Sequence, residues 1–516
     1  MKLSAEQLLQ MAEQQFTQQA LVLPLWQTLA DHFYPERADF TVTRNVGQEF
    51  ADHLMDSFPL LMRRDLGNSL SAMLRDGEWF NMNVDFTPDH AGKMWLQDST
   101  HTLRKLMYAR DANFVNATKQ SDHDFVTFGN CVKSVEMNRL RTGLLYRCWH
   151  LRDCAWFEDV TGHVCGVFRR TKMSRYDLIQ YFGEENLHPS ITKDAQKEPF
   201  VKRDIVHMVV PSQMLGDDKY EKFPYVSIWI DSSLKLTIEE TGSLHKIYVV
   251  PRFQTIAGSS YAYSPATTVG LSDARTLQAM THTLMEAAER YARPPILATS
   301  KAVRSDIDLG PDGITWLDEK YDERLGSALR TLPQDRGGWP VGDAERMRIT
   351  ETLQSAFYLN KLTLPEVNRD MTAYEVQERM KQFRRENLPL FAPIEAEDNG
   401  AICELSFEIA VANNMLGSPY DIPESLQGVD VEFKFESPLT ANENEEIAQR
   451  FAQVRQMLSE SLQLDPSVGA DINLSAALRD TVSGIGAPQR WLSSPEEAQE
   501  AQMMDMAKEA IVANGN

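Results

Sequence analysis

Residues 343–419 constrain this chain more than any other stretch. They read as a helix from Asp343 to Asn360, an exposed break, and a second, very long helix. The break is Lys361-Leu362-Thr363-Leu364-Pro365-Glu366-Val367-Asn368-Arg369-Asp370. The second helix opens at Met371, where Thr372 and Glu375 form a capping box. Val376, Met380 and Phe383 then recur at helical spacing, and Glu375 with Arg379 forms a supporting i,i+4 pair. Pro389 and Pro393 each remove a helical hydrogen bond and crowd the preceding turn, so a kink is expected there. The apolar rhythm resumes at Ile402, Leu405, Ile409, Ala412 and Leu416, and stops at Gly417 with Pro419 behind it. An ordinary globular enzyme has little use for so long a spine carrying an exposed break.

At 516 residues the chain is too long for one simple core, and about three structural regions are expected. No apolar run approaches the ~20 residues of a membrane span. The opening Met-Lys-Leu-Ser-Ala-Glu-Gln reads as polar helix rather than a signal peptide, so residence in a cytoplasm at synthesis is expected. Lys and Arg number 52 against 74 Asp and Glu, a net charge of −22. That argues against wrapping nucleic acid through many phosphate contacts. It is compatible with a surface past which DNA slides, because an acidic lining repels phosphates.

The fold class reads as α+β, mainly helical. Residues 1–126 carry helical patterns: Leu8, Met11, Phe16 and Leu21; Trp26 to Phe33; Phe50 to Leu74; Trp95 to Ala117. From Phe128 to Phe253 the period shortens to that of strands, with Val132, Ser134 and Glu136, then Leu145, Arg147 and Trp149 across a turn at Gly143. Further strands are expected at 164–168, 204–210, 225–230, 234–239 and 247–253, with a short helix from Ser174 to Gly183. Ser272 to Arg293 is a helix ended by Pro294-Pro295. Residues 296–342 are irregular, Val429 to Phe435 alternates as one strand, and 440–516 is acidic and Gln-rich with helical spacing.

A search for catalytic chemistry finds little. There is no phosphate loop, HExxH, GxSxG or GxGxxG after a strand. Cys148, His150, Cys154, His163 and Cys165 fall close together, but their spacing matches no CxxC zinc pattern, so burial outweighs metal binding. Asp122-His123-Asp124 cannot converge on one point, since helical neighbours point about 100° apart; a solvated helix end is the better reading. Glu395-Ala396-Glu397-Asp398 and Glu443-Asn444-Glu445-Glu446 read as solvated faces. Lys381, Arg384 and Arg385 are nearly cancelled by Glu375, Glu378 and Glu386. The break differs: Lys361 and Arg369 have little acid nearby and lie beside Tyr358 and Asn360. Contact with a polyanion and plain solvation both fit it. No cofactor or metal site is expected.

Four blocks, in order, carry a family resemblance. They are Thr118-Lys119-Gln120-Ser121-Asp122 with Phe128-Gly129-Asn130; Gly258-Ser259-Ser260-Tyr261-Ala262-Tyr263-Ser264-Pro265 leading into the helix that ends at Pro294-Pro295; the Met371-Thr372-Ala373-Tyr374-Glu375-Val376 start with its later prolines and Gly417; and the strand running into Glu436-Ser437-Pro438-Leu439. Together they span 118–440. The chain resembles the portal proteins, or head-to-tail connectors, of short-tailed, podovirus-type bacteriophages. It departs from the family's usual form at Tyr261-Ala262-Tyr263, where a Tyr-Gly pair is common.

The resemblance implies a non-enzymatic ring of twelve subunits at the unique vertex of the virion capsid, assembled in the host cytoplasm, with a channel for double-stranded DNA. It implies a wing (1–270, plus the strand at 429–435), stem helices (271–295 and 343–360), a clip (296–342), a channel loop (361–370), a long kinked helix with the wing strand (371–436) and a crown (437–516). Tyr358, Asn360, Lys361 and Arg369 are then candidates for sequence-independent DNA contact. Arg330, Asp335, Arg336 and Trp339 are clip candidates for the terminase large subunit or tail and adaptor proteins. The major capsid and scaffolding proteins are further implied partners, and no membrane is. Another virion structural protein, or an enzyme with an unrecognised site, are the alternatives.

Overall fold

The computed structural model describes residues 3–45, 47–75, 77–298, 338–359 and 394–435, with short pieces between and after them. Ser4 caps α1 (Ala5–Ala20): its Oγ accepts from the Gln7 N–H at 3.3 Å, and Gln7 Oε1 accepts from the Ser4 N–H at 2.9 Å. This reciprocal box satisfies two orphan donors. α2 (Leu23–Phe33) holds Pro24 in its first turn, where a missing N–H costs nothing. Leu21, expected on the apolar face of α1, lies in the bend between the two and is 82% exposed. Residues 50–57, expected as helix, form an irregular strap, and α3 begins only at Phe58 and runs to Leu74.

β1 (Phe80–Asn83) follows. The single helix expected from Trp95 to Ala117 is two, α4 (His90–Met107) and α5 (Phe114–Phe128). Asn113 separates them in the left-handed region (φ 60°), which Asn tolerates better than most residues. Gly129 ends α5 with φ 74°.

Among the described residues every strand pair is antiparallel. β2 (Val132–Met137) lies between β3 (Leu144–Trp149) and the short β9 (Tyr248–Val249). The 247–253 run thus supplies only two ladder residues and a single bridge, Asn130 to Arg252. The larger sheet is a five-strand meander: β4 (Cys154–Glu158), β5 (Val164–Ser174), β6 (Lys202–Pro211), β7 (Tyr225–Asp231) and β8 (Leu236–Ser243). Its period-2 alternation sorts side chains onto two faces. Val206, Met208, Val210, Ile228 and Ile230 pack against Leu8, Ala12 and Phe16 of α1. Ile205 and Trp229 meet Leu178, Phe182 and Ile191 of α6 (Arg175–Phe182) and α7 (Pro189–Lys197). A buried polar chain joins the two sheets: Arg169 Nε donates to Tyr248 Oη (2.8 Å), which lies 2.6 Å from His207 Nδ1, and His207 Nε2 lies 2.9 Å from Ser227 Oγ.

α8 (Leu271–Ala292) follows a π-helical turn, Ala266–Gly270. β10 (Ile296–Ala298) pairs with β11 (Leu329–Thr331), and α9 (Gly338–Ala356) runs back along α8. A Cβ at Gly342 would meet Leu284, and one at Gly270 would meet Phe357, so the pair is antiparallel. α9 starts and ends a turn earlier than the 343–360 expected. α10 (Ala401–Ala412) stops before the expected Gly417; Ile402, Leu405 and Ile409 are buried, while Ala412 is exposed and Leu416 half-buried. β12 (Glu432–Phe435) pairs with β1, setting Phe80 opposite Phe435 and Met82 opposite Phe433. Pro389, Pro393, Lys381, Arg384, Arg385 and Glu443 to Glu446 lie outside the described residues. Among the described residues no helix is long and apolar enough to cross a membrane.

Two of the blocks that carry the family resemblance are one physical joint. Asn130 Oδ1 accepts from the Ala262 N–H at 3.0 Å, and Asn130 Nδ2 donates to the Ala262 carbonyl at 2.8 Å. Ser264 Oγ donates to the Thr127 carbonyl at 2.7 Å. Ala262 has no positive φ, so its Cβ is carried without strain.

Candidate functional site

The break named from the sequence falls in residues 360–393, and the structure shows how both ends of that segment are held. On the outgoing side, the Phe357 N–H donates to the Leu353 carbonyl (3.0 Å) and the Tyr358 N–H to the Ser355 carbonyl (3.0 Å). Phe357 is fully buried, its ring 5.5 Å from that of Phe33. Tyr358 turns the chain through a left-handed conformation (φ 57°), a rare and costly choice for a bulky residue. On the returning side, Ile394 enters the same core as Phe357, alongside Trp26, Leu66 and Leu277. The segment therefore leaves and re-enters one hydrophobic core.

Behind Ile394 the π-helical turn Glu395–Gly400 carries a buried charge cluster. Arg75 Nη2 donates to Asp398 at 2.7 Å, Arg75 Nε to Asn399 Oδ1 at 2.9 Å, and Arg75 Nη1 to both carboxylate oxygens of Asp122 at 2.8 and 3.0 Å. Lys133 Nζ donates to the other oxygen of Asp398. The four charged side chains are each 3–6% exposed. Two cations balance two anions, as burial of charge requires. Burial pushes the Asp398 carboxyl up, but Lys133 and Arg75 outweigh it and hold it below its usual value. Burial also lifts Asp122, against the pull of Arg75. Glu397 accepts from the Arg252 backbone N–H at 3.0 Å and from its guanidinium at 3.1 Å. The returning end is thus tied to the end of α3, to α5, to β2 and to the 252 segment.

The expectation of a solvated face at Glu395–Asp398 is corrected: Glu395 and Asp398 are buried. Its partners explain the error, since Arg75 lies 323 residues and Lys133 lies 265 residues from Asp398 in sequence. The solvated helix end at Asp122-His123-Asp124 is corrected too. All three are buried, because α5 is covered on every side from Ser121 to Phe128. They fan out to three different arginines. Asp122 takes Arg75, Asp124 takes Arg37 at 2.8 Å, and His123 Nδ1 accepts from Arg63 Nη1 at 3.2 Å. Burial, with Arg63 and Lys119 nearby, pushes the His123 imidazole down to about 4. Gly67 makes room for that ring; a Cβ there would meet His123 Nδ1 at 2.4 Å.

Of the other sequence candidates, Tyr358 is half-buried against the core, and Asn360, Lys361 and Arg369 lie outside the described residues. Arg330 pairs with Leu297 in the β10–β11 ladder, Trp339 lies in the first turn of α9, and Asp335 and Arg336 lie outside the described residues. The Cys/His group disperses. Cys148 Sγ approaches Asp124 at 3.8 Å, His150 Nε2 pairs with Asp39, and His163 Nδ1 meets Thr161 at 2.8 Å. Cys165 Sγ faces the Phe157 carbonyl, and burial pushes the Cys154 thiol up to about 12. Thiols held in that state are poor nucleophiles. What this arrangement can do is mechanical: it pins both ends of a long segment to one packed core.

A search of curated proteins matched none. A family model described as bacteriophage head to tail connecting protein matches residues 5–492. The match takes in both anchors of the 360–393 segment, the α8–α9 pair and the joined sequence blocks, and the chain belongs to that family.

Proposed function

We propose that this chain is one protomer of a twelve-membered portal ring at the unique capsid vertex of a bacteriophage, a conduit for double-stranded DNA during packaging and ejection. The family match over residues 5–492 carries this reading. The segment layout supports it: a body of sheets and helices (wing), an antiparallel helix pair leaving it (stem), residues 296–342 linking those helices (clip) and a twice-anchored segment at 360–393 holding the channel loop. Residues from 437 onward are the crown. The ring is a docking platform rather than a motor. The terminase large subunit supplies the energy, and Arg330, Asp335, Arg336 and Trp339 face it or the tail and adaptor proteins. Capsid and scaffolding proteins surround the ring. The net charge of −22, repeated around a ring, keeps phosphate contacts few, so DNA slides rather than sticks.

Within that conduit Tyr358, Asn360, Lys361 and Arg369 make weak, sequence-independent contacts with DNA. The double variant Lys361→Ala with Arg369→Ala is expected to assemble normally and to lose packaged genome. The DNA content of purified heads is expected to fall several-fold, as removing a few phosphate contacts weakens a sequence-independent grip. Heads that fill and retain DNA as the parent does would remove the loop from this role.

A further inference from the structure

The irregular strap at residues 50–57 lies across the point where the α8–α9 pair leaves the body. Gln278 of α8 grips its backbone: Gln278 Oε1 accepts from the N–H groups of Met55 (2.7 Å) and Asp56 (2.9 Å), and Gln278 Nε2 donates to the Asp56 carbonyl (2.7 Å). Only one orientation of the amide satisfies all three bonds. The Asp56 carboxylate then reaches both helices. One oxygen accepts from Thr281 of α8 and Arg346 of α9, each at 3.2 Å, and the other from the Phe58 N–H at 2.9 Å, which ties the strap to the start of α3.

The position of these contacts is informative. Thr281 is the last buried residue of α8, and from 282 to 292 every side chain is exposed or half-buried. On α9 the first buried residue among those described is Ile349, one turn beyond Arg346. Gln278, Thr281 and Arg346 therefore sit in a collar at the emergence point.

We propose that residues 50–57 are a latch that fixes how the α8–α9 pair is held where it emerges from the body, and that opening the latch loosens the pair beyond Thr281 and Ile349 while Ala274, Leu277, Leu353 and Phe357 stay in the core. The bonds concerned are few and polar, mostly part-buried at the edge of the core rather than within it, so they can open while the apolar contacts behind them persist. The device belongs to the single chain and does not depend on a ring or on DNA.

Pulsed electron paramagnetic resonance tests it. Spin labels are placed at two exposed positions, Leu21→Cys on the body and Met285→Cys on α8, in a small fraction of chains mixed with unlabelled protein. The parent is expected to give one narrow distance peak. Gln278→Ala is expected to broaden it about twofold or add a second peak, as a loosened helix pair does, with circular dichroism unchanged. Asp56→Asn, which keeps the strap's backbone bonds, is expected to fall between the two and carries the test if Gln278→Ala does not fold. A parent-like distribution in the variants would overturn the latch.

Discussion

Asp398→Ala is expected to destabilise the protein by about 3–5 kcal/mol, the cost of removing one partner from a buried ion cluster. Without this carboxylate, Arg75 and Lys133 face only Asp122, and one buried positive charge has no counterpart. The strength of the cluster lies less in attraction gained than in the penalty of breaking it, since an unpaired buried charge keeps its whole desolvation cost. Asp398→Asn preserves the shape and part of the hydrogen bonding, so it is expected to cost less. Glu351, exposed on α9, supplies the control: Glu351→Ala is expected to change stability by no more than ~0.5 kcal/mol. Urea denaturation of the three variants measures this. Equal midpoints for Asp398→Ala and Glu351→Ala would show that the cluster does not hold the returning end of the 360–393 segment.

Gly129→Ala is the second large effect. Gly129 adopts φ 74°, and a Cβ there would stand 2.5 Å from the Tyr263 carbonyl carbon and 2.8 Å from the Ser264 nitrogen. Those atoms are backbone, fixed by the Asn130–Ala262 and Ser264–Thr127 hydrogen bonds, so the joint must open to admit a methyl group. The left-handed conformation alone costs a non-glycine residue about 1–2 kcal/mol. The clash adds to that, and a total above ~3 kcal/mol is expected. Gly162 separates the two contributions. Its φ is 84°, with nothing within 4 Å of the added Cβ, so Gly162→Ala carries the conformational cost alone. Thermal unfolding is expected to place Gly129→Ala well below Gly162→Ala; matching midpoints would mean that the joint between the two sequence blocks yields easily.

These two sites also show which parts of the molecule the sequence could reveal. Local signals were readable because local geometry causes them. Strand alternation in β2, β3, β6 and β7 and the start of α6 at Ser174 with its end at Gly183 appear where the residue pattern places them. Boundaries failed where helix-compatible residues bridge a break. Nothing in Tyr108-Ala109-Arg110-Asp111-Ala112 forbids a helix, yet α4 ends at Met107, Ala109 is extended, and a 3-10 turn at Arg110–Ala112 followed by the left-handed Asn113 divides α4 from α5. The strap at 50–57 was misread for a related reason: Phe50 and Leu54 fit a helical spacing, but Gln278 and Asp56 hold that backbone in another shape.

Buried charge was the hardest feature to read. Asp122, His123, Asp124 and Asp398 resemble surface residues until Arg75, Arg63, Arg37 and Lys133 are brought beside them by distant parts of the chain. The break in the helical spine was visible in the sequence. That both its ends enter one core, through Phe357 and Ile394, was not, because apolar spacing says which face is buried but not against what.

The central claim, a ring with a channel, rests on a measurement of the purified protein. Native mass spectrometry with negative-stain imaging is expected to show a ring with a central hole, and a mass near twelve times the 58.7 kDa chain, about 700 kDa. Thirteen copies in a purified ring would still support the closed assembly. A monomer or small oligomer without a central hole would contradict the account.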